Sequence, residues 1–105
     1  MEDRVETSLL MDYYGGLLTD KQQSVMALYF YEDFSLKEIA DLNGTSRQAT
    51  HDLIRRTIHQ LTRYEETLGL KAQSESQEQA KKHLLDELER RGQLDWTLLQ
   101  YLDAL

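Results

Sequence analysis

Residues 35–61 read SLKEIADLNGTSRQATHDLIRRTIHQL, and the fold is decided there. Ser35 and Glu38 stand three apart at the head of an apolar run, the pattern of a capping box. In it the serine hydroxyl accepts from the amide three residues on, and the glutamate reaches back to the serine amide. A short helix follows, with Leu36, Ile39, Ala40 and Leu42 expected to face inward. Asn43-Gly44 stops it, since both residues tolerate the left-handed backbone of a helix end. Thr45 or Ser46 then caps a second helix running to about Leu68, with Gly69 just past its end. Its expected inward stripe is Ala49, Leu53, Ile54, Thr57, Ile58 and Leu61. Small Ala40 at the helix crossing and Gly44 at the tight turn are what a helix-turn-helix requires.

On the second of these helices, Arg47, His51 and Arg55 recur every four residues on an exposed face, with Gln48 and Asp52 beside them. Arginine and glutamine can make paired hydrogen bonds to guanine and adenine edges in the major groove. Any soluble helix also has a charged outer face. These residues alone therefore leave both a DNA-reading surface and a solvated one open.

Upstream, Thr19 and Gln22 repeat the capping-box spacing and open a helix to about Tyr31, with Val25, Met26, Leu28 and Tyr29 expected inward. Before it, a helix over residues 3–14 places Val5, Leu9, Leu10 and Tyr13 on one stripe, and Gly15-Gly16 ends it. The aromatic set Tyr13, Tyr14, Tyr29, Phe30 and Tyr31 reads as core between these two helices plus an exposed seam, rather than as a base-stacking platform. Downstream, residues 71–77 are polar without apolar periodicity, either a linker or the exposed start of a further helix. A fifth helix is expected to include Ala80, Leu84, Leu85 and Leu88 and to end at Gly92. A last short one follows Asp95 and carries Trp96, Leu98, Leu99, Tyr101, Leu102 and Leu105. That tail is too apolar to stay in water and must dock on its own subunit, a second copy or another protein.

The 105 residues include no Pro and no Cys, so helices run without ring interruptions, and disulfides and thiolate metal sites are excluded. Strand-type alternation is missing, and the fold class is all-α: a helical domain over residues 1–70 containing the helix-turn-helix of residues 35–61, with a C-terminal helical extension over residues 71–105. No apolar run approaches the roughly 18 residues of a membrane span, and the acidic start Met1-Glu2-Asp3 is wrong for a signal peptide, so the expected location is cytoplasmic. The net charge of −7 is uneven. Residues 1–34 hold seven acidic side chains against two basic, residues 35–68 balance five against five, and residues 69–105 hold seven against five. An acidic chain is a poor general DNA binder, but the acid lies mostly outside the reading helix.

Catalysis is not expected. His51, His59 and His83 have no nucleophile or glycine-rich loop beside them, and His51 and His59 lie about 12 Å apart along one helix, too far to share a metal. The carboxylates sit in capping boxes and on helix faces, where solvation and the helix dipole account for them. No cofactor, metal or small-molecule substrate is expected.

The run from Leu18 through Tyr29, followed by Phe34-Ser35-Leu36-Lys37-Glu38-Ile39-Ala40, resembles the fourth conserved region of sigma factors. Adding Met11-Asp12-Tyr13-Tyr14-Gly15-Gly16 upstream, and Ser46-Arg47-Gln48-Ala49 and Tyr64-Glu65-Glu66-x-Leu68-Gly69-Leu70 downstream, the chain is similar over residues 5–70 to the YlxM family of small bacterial proteins. That resemblance implies a helix-turn-helix bundle of the sigma-region-four type. It also implies a gene beside those for the signal-recognition-particle GTPases and a regulatory or accessory role in that pathway. It places DNA contacts on Ser46, Arg47, Gln48, His51 and Arg55. The chain departs from the family pattern at Asn43, Thr45 and Thr50, where relatives are apolar or aromatic, and at His51, where an aromatic is common. Buried and unpaired, such polar groups would each destabilise by roughly 1–3 kcal/mol, unless Leu42 and Leu53 compensate by rotating the buried stripe.

Two functions follow as expectations. In the first, the chain is a DNA-binding transcriptional regulator: Arg47, Gln48, His51 and Arg55 read bases or phosphates, and Arg56 and Arg63 steady the backbone. In the second, the sigma-like scaffold binds a protein of the secretion-targeting machinery through its C-terminal helices. A homodimer is expected in either case, with the aromatic seam and Trp96 as its contact.

Overall fold

Five of the six helix starts coincide with a side chain that caps them. The structure, a computed structural model, describes residues 3–105 as six α-helices, with no strand among the described residues. They are α1 (Arg4–Tyr14), α2 (Asp20–Phe30), α3 (Leu36–Asn43), α4 (Arg47–Leu68), α5 (Leu70–Arg90) and α6 (Trp96–Asp103), with a 3-10 turn at Gly15–Leu17. Both capping boxes close: Gln22 N–H donates to Thr19 Oγ1 and Thr19 N–H to Gln22 Oε1, and Ser35 and Glu38 repeat the exchange. The Ser35 amide, followed by its hydroxyl, holds the Glu38 carboxyl below the ordinary glutamate range. Gly44 turns the chain out of α3 at φ 66°, Ser46 caps α4, and Gly69 ends α4 at φ 62°.

The chain divides into two compact units, Met1–Lys71 and Ala72–Leu105. In the first, α4 packs against α1, α2 and α3. The core is Leu10, Tyr14, Leu18, Val25, Met26, Phe30, Ile39, Ala40, Ile54 and Leu61. Leu28, Tyr29, Leu36, Leu53 and Ile58 pack against it half-buried.

Three inward faces differ from expectation. On α1 the buried set is Thr7, Leu10 and Tyr14, while Val5, Leu9 and Tyr13 are exposed. On α3 Leu42 points to solvent, and on α4 Ala49 is exposed while Thr50 is buried. On α4 the stripe is rotated to bury threonines, whose hydroxyls the helix itself satisfies. Thr50 Oγ1 donates to the Ser46 carbonyl (3.2 Å) and Thr57 Oγ1 to the Leu53 carbonyl (2.8 Å). A threonine so bonded back to its own turn is nearly as easy to bury as valine. Three of the polar departures therefore carry no unpaired-group penalty: Asn43 and Thr45 are exposed and Thr50 is bonded, whereas His51 keeps a buried, unbonded Nδ1. Leu42, being exposed, does not compensate for anything.

Residues 71–77 are helical, part of α5. The start of that helix is fixed from elsewhere in the chain. Tyr14, fully buried, donates to Glu65 Oε1 (2.5 Å) and accepts from the Leu70 amide (3.0 Å), and the Lys71 amide donates to the same Glu65 oxygen (3.0 Å). Two side chains thus serve as the cap that α5 lacks locally. Burial, then the Glu65 hydrogen bond, holds the Tyr14 phenol above its ordinary value. The fold favours the neutral phenol, so its contribution is whole below about pH 10 and is lost as pH climbs past that value. Tyr14→Phe is expected to lower exchange protection of the Leu70 and Lys71 amides by about tenfold. It should also flatten the alkaline limb of a circular-dichroism pH titration; an unchanged limb would assign that limb to other groups.

In the second unit, the α5 end is a left-handed Gly92 (φ 66°), and Asp95 caps α6 by accepting from the Leu98 amide (2.9 Å). Leu102 is the only buried side chain among its described residues, and Trp96, Tyr101 and Leu105 are exposed. No described helix is long and apolar enough to cross a membrane.

Candidate nucleic-acid interface

Gly44 and the Ser46 cap set where α4 begins, and the buried Thr50, Ile54, Thr57 and Leu61 set which way it faces. Of the residues expected to touch DNA, Arg55 and Arg56 lie away from that stripe, while Arg47 and His51 flank it. Arg47 is exposed in the first turn, with Gln48 beside it. His51 is half-buried one turn on, and Arg55 and Arg56 are exposed one turn further. The Ser46 hydroxyl oxygen accepts from the Ala49 amide (3.0 Å), so it serves the helix first and keeps only its O–H to offer a phosphate.

Five cations outside α4 are tied to carboxylates. Arg4 pairs with Asp33, Lys37 with Asp41, Lys71 with Glu6, and Arg90 and Arg91 with Glu87. The last pairing draws the Glu87 carboxyl below the usual range. Arg47, Arg55, Arg56 and Arg63 of α4 make no ion pair or side-chain hydrogen bond among the described residues, so none must give up a protein partner to meet a phosphate.

Asp52 opposes them. It accepts from Gln48 Nε2 (3.0 Å), and its Oδ1 lies 3.7 Å from His51 Nδ1, which has no hydrogen-bond partner. Gln48, His51 and Asp52 are therefore one small cluster, and Gln48 must release Asp52 to address a base. The carboxylate also repels phosphate across a few ångströms of water, an interaction of about 0.6–1 kcal/mol. Asp52→Asn is expected to tighten duplex binding about threefold at low salt, converting that energy. Binding unchanged in the variant would place Asp52 away from the phosphates.

One residue, His59, extends the expected set. Arg47, His51, Arg55, His59 and Arg63 recur at an unbroken four-residue step. At 1.5 Å rise per residue they form a row about 24 Å long. A shallow groove along α4 is bordered by Arg55, Arg56, His59 and Arg63. The signal was legible as periodicity, but His59 reads as an isolated solvated histidine until α4 is known to continue unbroken to Leu68. No group of three His, Cys, Asp or Glu side chains among the described residues could hold a metal ion.

Comparison with known proteins matches residues 1–100 to the family model UPF0122, described as "Putative helix-turn-helix protein, YlxM / p13 like". A UPF0122 protein of Clostridium perfringens is 48% identical over 103 residues, spanning 98% of this chain and 92% of that protein. One from Clostridium botulinum is 56% identical over 91 residues, 87% and 84% of the two chains. One from Clostridium acetobutylicum is 48% identical over 88 residues, 84% and 76% respectively.

Proposed function

Because this chain belongs to the UPF0122 family of YlxM/p13-like helix-turn-helix proteins, we propose that it is a DNA-binding regulator that presents α4 to the major groove. The observation that carries the proposal is the set of exposed arginines along α4, Arg47, Arg55, Arg56 and Arg63, that make no ion pair among the described residues. Arg47, Gln48, His51 and Arg55 address bases and phosphates in the groove, with the Ser46 O–H at its mouth, and Arg56 and Arg63 rest on flanking phosphates. The role is binding, without catalysis. Its tie to the signal-recognition-particle pathway rests on family resemblance. A titration of isotope-labelled protein with a duplex tests the interface. Amide shifts should concentrate between Thr45 and Arg63, and shifts confined to other helices would refute the placement.

A second element of the proposal concerns association. The unit Ala72–Leu105 is shorter than the roughly 40 residues that usually sustain a fold alone, and Trp96, Tyr101 and Leu105 lie uncovered. The reading is a homodimer that covers these side chains, giving two α4 helices for two half-sites. Light scattering should give a dimer mass that falls to monomer in Trp96→Ala. A wild-type monomer would transfer the surface to the alternative reading, a protein-interaction module of the secretion-targeting machinery.

A further inference from the structure

Helix α1 carries two apolar faces and the fold uses one. Thr7, Leu10 and Tyr14 enter the core. Val5, Leu9 and Tyr13 follow one another at four-residue steps on the outside, Val5 with 70% of its surface exposed and Tyr13 with 38%. Tyr31 is also exposed (54%), and its phenol is held above the ordinary value by burial first and by the Asp12 carboxylate second. Just over two turns of helix thus present a ridge of apolar side chains about 12 Å long, edged by a carboxylate.

What covers this ridge is constrained by charge. Residues 1–34 hold seven acidic side chains against two basic. One of the two, Arg4, is tied to Asp33 and to the Tyr29 carbonyl, while Asp12, Asp20 and Glu32 take part in no ion pair among the described residues. A second copy of α1 would bring like charges together. The chain's own C-terminal unit is acidic too, with seven acidic against four basic side chains over residues 72–105.

We propose that the outward face of α1, centred on Val5, Leu9 and Tyr13 and edged by Asp12, docks a basic amphipathic helix of another protein. A ridge of that length suits a helix supplying apolar anchors at i, i+4 and i+7, with Lys or Arg flanking them to meet Asp12. The face is separate from the α4 arginines, so the two binding activities fail separately.

The probe is a pair of labelled synthetic helical peptides with Leu anchors at i, i+4 and i+7, flanked in one by Lys and in the other by Glu. They are titrated by anisotropy into the full-length protein. The Lys peptide is expected to saturate, with the Glu peptide at least about tenfold weaker. Val5→Asp and Leu9→Gln, both outside the core, should each weaken the Lys peptide about tenfold with helicity and duplex binding unchanged. Asp12→Asn should reduce the salt dependence of peptide binding, and Arg55→Ala should leave it untouched. Equal binding of the two peptides, or indifference to Val5→Asp and Leu9→Gln, overturns the proposal. So does a dimer seen by sedimentation that Leu9→Gln dissolves, which would assign the face to a second copy.

Discussion

Arg47→Ala, Arg55→Ala and Arg63→Ala combined are expected to weaken duplex binding by about two to three orders of magnitude near 0.1 M salt, with the fold intact. Each phosphate neutralised by a cation contributes about 0.9 to the slope of log affinity against log salt, so removing three flattens the slope by about 2.7. The fold should not respond, because these side chains are exposed and make no ion pair or side-chain hydrogen bond among the described residues. Unchanged helicity and melting temperature are the control. Lys81→Ala with Lys82→Ala removes two positive charges from α5 and is expected to change binding less than about threefold, since exposed charges outside a contact are screened. If the two sets of variants weaken binding equally, the protein is responding to net charge and not to a placed helix.

The second large effect is on stability. Ile54 is 0% exposed on the helix that packs against α1, α2 and α3, in one cluster with Met26, Ile39 and Leu61. Ile54→Ala removes three carbons from a site that rigid helices surround, and is expected to cost about 3–4 kcal/mol. Against a typical domain stability of about 5–15 kcal/mol, that leaves a large unfolded fraction on mild warming. Leu42→Ala, an equally apolar residue of the helix-turn-helix that points to solvent, should stay within about 0.5 kcal/mol. Urea midpoints of the two variants check the pair. Similar losses would mean that α3 buries the Leu42 face after all.

The contrast between these two leucine-rich helices shows what a sequence makes visible. Helix ends were legible because caps are local: Thr19 with Gln22, Ser35 with Glu38, Gly44, Gly69, Gly92 and Asp95 all lie within four residues of the groups they satisfy. Helix faces were less so. A stripe drawn through the most apolar residues of α1 passes through Val5, Leu9 and Tyr13, yet the core takes Thr7 and Tyr14 because their hydroxyl-bearing side chains are buried with partners or close packing. Only tertiary contact distinguishes the two, as it does for Thr50 against Ala49. The start of α5 was out of reach, since Tyr14 and Glu65 stand 51 residues apart in the chain. Of the candidate interface, the four-residue recurrence of Arg47, His51 and Arg55 was readable. The opposition of Asp52 to Gln48 and His51 was readable only as neighbours, and its geometry needed the helix.

The departures from the family pattern also acquire a physical meaning. Thr50, where the family resemblance leads to the expectation of an apolar residue, bonds its hydroxyl to the Ser46 carbonyl and enters the core. His51, where an aromatic is common, keeps a ring half-covered against the helix while adding a nitrogen 3.7 Å from Asp52. These substitutions leave the scaffold in place and alter the chemistry of the face that meets a ligand.

The most direct test of α4 as a DNA-binding helix is fluorescence anisotropy with labelled duplexes from the protein's own upstream region and random duplexes of equal length, titrated from low to physiological salt. The account predicts saturable binding that prefers the upstream duplex, falls steeply with salt and is lost in Arg47→Ala. Binding of micromolar strength or weaker, blind to sequence and gone near physiological salt, would contradict it.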